Sequence, residues 1–434
     1  MTASAALPNL ARLSNASEPV GGLSGIGSSA NGSRPMPALR IQIASAAEFA
    51  GIAEQWTALA ARAAVPNVFM DPAVALAYAE SWPDPVRVIL SWQDEAEAGE
   101  ARLVGVWLLV ERVTRSSWPW KALVSPAGPV AYLGTPVIDR DCAAPVLGAM
   151  LETIRKAPGL PKLLQSGDMS GGSQVMEALE SVLAGGAGHA RVLETRSRAR
   201  LTSGEDPKAF WAKSMSARRL QGFARKRRQL GKEGKLVFTC VDAPDAVLAG
   251  LEEFLRLEAS GWKARRQSAL ACDAATDRFT RRMVTDLSRR RLVSIHALRL
   301  DGAPVAMWVV LFSGDAAYTW RTAYDEAFRR FSPGILLLED TTARLLTQPA
   351  VSFTDSCNHR DVGHQADRWP ERHEVRDLLI DAGSDRPIRL LLLSNREKAL
   401  RAGREMARRL YHSLRSGLAR IRKQHSAPAT DEQQ

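Results

Sequence analysis

One hairpin signal among helical runs constrains this chain more than any other feature. Val293–Leu300 and Val305–Phe312 are apolar, strand-length segments flanking Asp301-Gly302, a dipeptide suited to a tight antiparallel turn. Ala317–Thr322 follows Gly314-Asp315 as a third strand. Helical periodicity brackets this meander, with Pro207–Leu230, Ala243–Ser260 and Thr276–Arg290 before it. In the second of these, Asp242 is the predicted N-cap, and Val247, Leu251, Phe254 and Leu255 fall on one face. After the meander, a helix runs from Pro333-Gly334 to Leu346 and a strand covers Val351–Asp355.

The first half repeats that order without local sequence identity. Helices are predicted at Ala46–Ala61 and Pro72–Ser81, then strands Val86–Trp92 and Leu103–Val110 around a turn of Asp94, Glu95 and Gly99. A helix Ala143–Ile154, a strand Lys162–Gln165, a helix Gln174–Leu183 and a strand Arg191–Leu193 complete it. The expected fold is mixed α/β (α+β), with two similar domains in tandem over 38–195 and 196–385. The Ser-, Ala-, Gly- and Asn-rich segment 1–37 reads as a disordered leader, and 386–434 as a basic amphipathic helix and tail. A length of 434 residues accommodates two such units, and 45% hydrophobic composition excludes a wholly disordered chain.

The charge is unevenly placed. The chain carries +11, yet residues 386–423 hold twelve Lys or Arg against two acids, leaving a nearly neutral body. That distribution weakens body-wide nucleic-acid binding and points to a local contact with an anionic membrane surface or an acidic protein partner. Cys142, Cys240, Cys272 and Cys357 form no paired framework, as in a reduced compartment. The longest apolar stretch, Val305–Phe312, falls far short of the roughly 20 residues of a membrane span. The expected location is cytoplasmic, with peripheral attachment to the inner face of the membrane through the tail.

Six ordered blocks point to a family. Phe254-Leu255-Arg256-Leu257-Glu258-Ala259-Ser260-Gly261-Trp262-Lys263 resembles an FLxLExxGWK signature. Leu298–Gly302 with Pro304 and Ala306-Met307 comes next, followed by Trp320–Asp325, Ser332-Pro333-Gly334, Asp355-Ser356-Cys357 and Trp369–Arg372. Over residues 205–382 the chain resembles the BioF-like acetyltransferases. This branch of the GNAT superfamily includes the CelD-type proteins linked to bacterial cellulose production. The resemblance implies a GNAT fold and transfer of an acyl group, acetyl first, from a coenzyme A thioester to an amine or hydroxyl acceptor. Polysaccharide, cellulose or envelope metabolism would be its setting, with acyl-CoA as donor substrate and no metal. Tandem arrangements are also familiar in Fem-type transferases, which makes aminoacyl-tRNA a rival donor. Arg218, Arg219, Arg225, Lys226, Arg227, Arg228, Lys232 and Lys235 would then contact the tRNA, or form a solvated face. A third reading is a non-catalytic scaffold on a membrane surface.

Under the resemblance, Arg329, Arg330, Ser332, Pro333 and Gly334 would hold the donor's phosphates at a helix N-terminus. The loop departs from the usual Gln/Arg-x-x-Gly-x-Gly/Ala pattern because Pro333 takes the first glycine position, and Pro333-Gly334 could simply start a helix. Backbone groups at Met307 and Trp308 would contact the thioester oxygen. Acyl transfer needs a base, an acid and acceptor orientation. Asp355 is the first candidate for base or orientation, with strand-end capping as its alternative. Tyr324 is the candidate acid for the thiolate, His364 an alternative base through water, and Asp325 an orienter of the amine. Glu258, Trp262, Lys263, Trp320, Trp369 and Arg372 are expected at the acceptor. Trp262 could equally be a core or cleft-wall aromatic, and Lys263 a solvated lysine. Cys357, His359, His364 and His373 with Asp355 and Asp361 match no established zinc spacing. Cys357 is a possible nucleophile or a small core residue. In the first half, Trp107, Trp118, Trp120 and the Ser125–Pro129 turn line an acceptor groove or pack a core.

Overall fold

The computed structural model describes residues 38–94, 101–128, 130–359, 361–383 and 387–425. The expected leader 1–37, the turn residues Glu95 and Gly99, and Pro129 and Arg386 lie outside the described residues.

The first half runs β1 (Leu39–Ala44), α1 (Ala46–Ala50), α2 (Ala53–Arg62), α3 (Pro72–Ser81), β2 (Val86–Asp94), β3 (Ala101–Val113) and β4 (Lys121–Val124). It continues through β5 (Val137–Ile138), α4 (Ala143–Lys156), β6 (Leu163–Ser170), α5 (Gln174–Val182) and β7 (His189–Thr202). The second half runs α6 (Pro207–Ser214), α7 (Ala217–Leu230), β8 (Leu236–Val241), α8 (Pro244–Ser260), α9 (Trp262–Arg265), α10 (Ala274–Arg289) and β9 (Val293–Leu300). It ends with β10 (Ala303–Ser313), β11 (Ala316–Tyr324), α11 (Pro333–Leu346), β12 (Phe353–Asp355), β13 (Glu371–Asp381) and α12 (Ile388–His425).

The fold is mixed α/β around one large sheet, in the order β1-β2-β3-β4-β6-β13-β7-β12-β11-β10-β9-β8, with β5 on β3. Each half contributes the same ladder. Four strands pair antiparallel in sequence, β1 to β4 and β8 to β11, and a fifth joins in parallel after a helical crossover, β6 beside β4 and β12 beside β11. Parallel neighbours need such a crossover, which α4 and α11 supply. The last strands are exchanged: β7 of the first half pairs with β12, and β13 of the second pairs with β6. β7 and β13 also pair with each other, which makes the sheet continuous.

Several local expectations change. The expected first helix is broken at Gly51-Ile52, where a Ser45–Glu48 capping box starts a single turn that Gly51 ends. The expected Pro207–Leu230 helix is two, because Met215 and Ser216 adopt extended geometry between them. Asp242 does not cap α8; Ala243 holds that position ahead of Pro244, and Asp242 pairs with Arg291 at 3.4 Å. Strands β1, β4, β5, β8 and β13 are additions, and β7 extends well beyond Arg191–Leu193. The expected face of α8, Val247, Leu251, Phe254 and Leu255, is buried.

Apolar burial fills both sides of the sheet. The larger cluster includes Trp56, Trp107, Phe254, Phe279 and Tyr318, and the smaller includes Phe223, Trp308, Leu337 and Trp369. α3 meets α10 through Tyr78 and Trp82 against Phe279, with ring centroids 6.4 and 5.4 Å apart. α12 starts as part of the body, since Leu390 and Leu393 are buried on Val124, Leu163, Leu193 and Leu379. Arg389 pairs with Asp381 at 2.7 Å, and Arg401 with Asp377 at 3.0 Å. Among the described residues no helix is long and apolar enough to cross a membrane.

Candidate active site

β11 and β12 stay paired for three residue pairs only, Ala316 with Phe353, Ala317 with Thr354 and Tyr318 with Asp355. β11 continues to Tyr324, while the chain beyond β12 turns away through Cys357 at φ 53°. The register against β10 slips between Val309 and Val310, which leaves Trp320 as an extra residue on β11. A bulge of this kind re-aims backbone groups, here beside the edge that β12 has left. The base of the opening is bonded shut: Thr319 Oγ1 donates to the Asp355 carbonyl at 3.2 Å, and Gln365 Nε2 donates to Thr319 Oγ1 at 2.8 Å.

α11 begins at the other end of β11. Asp325 accepts the Ala327 N–H at 2.9 Å and starts a 3-10 turn over Glu326–Phe331, so its carboxylate is a turn cap. Ser332 then takes left-handed geometry, φ 55° and ψ 56°, and Pro333 occupies the first helical position, where a missing N–H costs nothing. Lys226 of α7 donates to Ser332 Oγ at 2.6 Å. Arg329 and Arg330 are exposed beside it, with Arg330 against Glu233 at 2.9 Å and over the Phe331 ring. Of these charges, that of Lys226 reaches His364. Partial desolvation, then Arg368 and Lys226, hold its imidazole below the ordinary value and favour the neutral base.

The FLxLExxGWK segment ties α8 to the end of β11. Glu258, Trp262 and Lys263 line a small pocket of about 70 Å³ with Tyr324. Lys263 Nζ donates to Glu258 Oε1 at 2.7 Å and to the Thr322 carbonyl at 2.6 Å, while Glu258 Oε2 accepts the Leu270 N–H at 2.8 Å. Burial lowers the Lys263 ammonium's pKa, and Glu258 partly restores it. The Trp262 N–H donates to Glu326 at 2.7 Å, and the indole is partly exposed beneath Arg266.

Other expected residues lie apart from these two clusters. Met307 and Trp308 are buried, and their backbones sit inside the sheet between β9 and β11. Trp320 and Trp369 are core residues whose indoles donate to the Val130 carbonyl and to Thr342 Oγ1, both at 3.1 Å. Arg372 clamps its own loop through Asp361 at 2.8 Å and the Ala366 carbonyl at 2.7 Å. Trp107 is buried in the core, whereas Trp118 and Trp120 are exposed.

Asp355 ends β12 at 1% exposure. Arg198 Nη2 lies 2.5 Å from its Oδ2, His373 Nδ1 lies 3.4 Å from the same oxygen, and the Cys357 N–H donates to Oδ1 at 2.8 Å. Burial alone would raise this carboxyl; the Arg198 guanidinium overrides it and holds the pKa at about 2. Burial and the Asp355 charge push the Cys357 thiol well up, away from thiolate. Among the described residues no three His, Cys, Asp or Glu groups converge as a metal site. Gln365, Arg198 and Ser170 were not singled out as site residues, and Lys226 only as part of the basic run on α7. The alternation Arg196-Ser197-Arg198-Ala199-Arg200 was the signal for a strand with one cationic face.

Residues 217–356, from α7 through β12, match the family model described as an acetyltransferase (GNAT) domain. This segment is GNAT-like. Among solved structures, the chain is similar to the C-terminal domain (DUF2156) of a putative lysylphosphatidylglycerol synthetase from Agrobacterium fabrum. That pair has 16% identity and a TM-score of 0.47, covering 81% of this chain and 96% of that one. It is also similar to FemX, at 13% identity and TM-score 0.43, covering 82% and 100%. A tandem GNAT protein from the clavulanic acid biosynthesis pathway is similar at 16% identity and TM-score 0.39, covering 80% and 100%. The comparison with curated proteins finds no match. The matched segment contains the β11–β12 opening, the Ser332 turn, Lys226 and the Glu258–Lys263 pair.

Proposed function

We propose that the chain is an acyltransferase that moves an acyl group, acetyl first, from a coenzyme A thioester to an amine or hydroxyl acceptor. The observation that carries this is the β11–β12 opening within the matched segment, bulged at Trp320, with the Ser332 turn and Lys226 near the far end of β11. The α11 N-terminus, Gly334, Lys226, Arg329 and Arg330 together supply partial and full positive charge suited to a pyrophosphate. The thioester then lies along the unpaired edge of β11, where the bulge offers backbone donors to a developing oxyanion. His364 takes the acceptor's proton through water, and Tyr324 returns one to the thiolate. Asp355, ionised and paired with Arg198, acts as a fixed anion that anchors the end of β12. Calorimetric titration of the full chain with acetyl-CoA tests this reading: saturable binding supports it, and no binding of any acyl-CoA overturns it.

The finer reading puts the acceptor in polysaccharide, cellulose or envelope metabolism, on the BioF-like and CelD-type resemblance of the six blocks. An aminoacyl-tRNA donor is the second reading. It draws on Arg218, Arg219, Arg225 and Arg228, exposed on α7, whereas Arg227 is committed to Asp340 and Glu339 at 2.9 Å. α12 fits a peripheral attachment at the inner membrane face. Ile388 and Leu392 are exposed on its first turns, Trp118 is 63% exposed beside Arg396, and the following turns are rich in Arg.

A further inference from the structure

A second chemical site lies where the exchanged strands meet, outside the β11–β12 opening. Ser170 ends β6 and His373 stands near the start of β13, so the exchange of β13 into the first half brings them together. Ser170 Oγ is 2.8 Å from His373 Nε2, and His373 Nδ1 is 3.4 Å from Asp355 Oδ2. With the proton on Nδ1, facing the Asp355 carboxylate, Nε2 is left to accept the serine hydroxyl. This is the order of hydrogen bonds that activates a serine nucleophile. Spacing of the second link at 3.4 Å is the looseness common before substrate arrives.

The surroundings suit acyl chemistry. Ser170, His373 and Asp355 line a cavity of about 190 Å³ together with Leu133, Tyr318 and Phe353. Gly171, Gly172 and Ser173 line it too, in the turn that leads into α5. Among the described residues the backbone N–H groups of Gly172 and Ser173 have no hydrogen-bond acceptor, whereas that of Gly171 donates to the Glu374 carbonyl at 2.8 Å. Free donors beside a nucleophile are what a developing oxyanion needs. Ser170 itself is held by its N–H on Thr135 Oγ1 at 2.8 Å and by its carbonyl, which accepts the Ser173 hydroxyl at 2.8 Å. Asp355 is fixed by Arg198, so it positions His373 and is not the proton acceptor.

We propose that Ser170, His373 and Asp355 form a nucleophilic triad that accepts a short acyl group from an activated ester or thioester. Ser170 Oγ attacks the acyl carbon, and its proton passes to His373 Nε2. The tetrahedral adduct then collapses, breaking the bond from carbon to sulfur or oxygen, and Nε2 returns the proton to the departing thiolate or alkoxide. The product is an acyl-serine plus a free thiol or alcohol. Water attacks the acyl-serine with His373 as base, releasing the carboxylic acid and restoring the serine. The site neither needs nor uses the coenzyme A reading above.

The test treats the unaltered full chain with an alkyl fluorophosphonate and maps the adduct by peptide mass spectrometry. Labelling at Ser170 is expected. His373→Gln, which keeps a hydrogen-bonding side chain but cannot act as base, is expected to slow labelling about 100-fold or more, in line with the loss of a general base. No adduct on Ser170 in the unaltered chain overturns the proposal without requiring any variant to fold. Equal labelling rates in the chain and in folded His373→Gln also overturn it, because a purely structural contact would give that result.

Discussion

Arg198 on β7 and Asp355 at the end of β12 form an ion pair in which Nη2 lies 2.5 Å from Oδ2 and both side chains are at most 2% exposed. The residues come from different halves of the chain, 157 positions apart. Arg198 also donates to the Tyr132 carbonyl at 2.6 Å, so the pair ties the first-half loop, β7 and β12 into one junction. Both candidate sites depend on it: it fixes where β12 stops, and it fixes the carboxylate behind His373.

Removing one partner should therefore be costly. Arg198→Met leaves a buried carboxylate unpaired, and a loss of about 3–5 kcal/mol is expected in urea unfolding. The double change with Asp355→Leu should recover much of it. A double variant no more stable than Arg198→Met would show that the pair's charge is not the issue.

The same pair predicts acid sensitivity. The Asp355 carboxyl is lowered from 3.8 to about 2 on folding, so between those values the unfolded chain binds more protons than the folded one. Its contribution, about 2 kcal/mol, is complete above roughly pH 4 and is lost as pH falls towards 2. Urea midpoints measured from pH 5 down to pH 2.5 should fall less steeply in Asp355→Asn than in the unaltered chain.

At the donor end, Lys226 is the cation seated on the Ser332 turn. Lys226→Ala should weaken acetyl-CoA binding about 10-fold, the loss of one charge-assisted hydrogen bond, with thermal stability little changed. Unaltered affinity would move the phosphate site elsewhere.

Glu258 and Lys263 behave as a buried pair within the FLxLExxGWK segment, at 1% and 16% side-chain exposure. Lys263→Met alone should cost about 3 kcal/mol because buried Glu258 loses its cationic partner, whereas Glu258→Gln with Lys263→Met should cost less. A double-mutant cycle by thermal unfolding measures the coupling.

The start of α12 is docked on the body, and six more Lys or Arg residues follow Ala407 in the sequence. A chain ending at Gly383 exposes Val124, Leu163 and Leu379 and strips Arg389 from buried Asp381, so it should unfold or aggregate. A chain ending at Ala407 keeps those contacts and should stay folded. That shorter chain should lose sedimentation with anionic liposomes while keeping acetyl-CoA binding. Retained sedimentation would place the lipid contact elsewhere.

Much of the GNAT segment was legible because its signals are local. The Asp301-Gly302 turn, the apolar face of α8 and the helix start at Pro333 each depend on residues within a few positions of one another. Lys263 and Glu258 were noticed as a motif, but their pairing with each other and with the Thr322 carbonyl needed β11 beside them. Trp320 and Trp369 looked like binding aromatics, and the packed sheet shows them as core residues with satisfied indoles.

The sequence by itself determined the alternation of helices and antiparallel strands, the repeat of that order and the placement of charge in the tail, since periodicity and composition are properties of contiguous residues. Tertiary structure alone decided that β7 and β13 change places. Strand partners are chosen by pairing across long stretches of chain, and nothing in the alternation of β13 says which edge it will join. That choice brings Ser170 to His373 and Arg198 to Asp355, and with them the chemistry between the two halves.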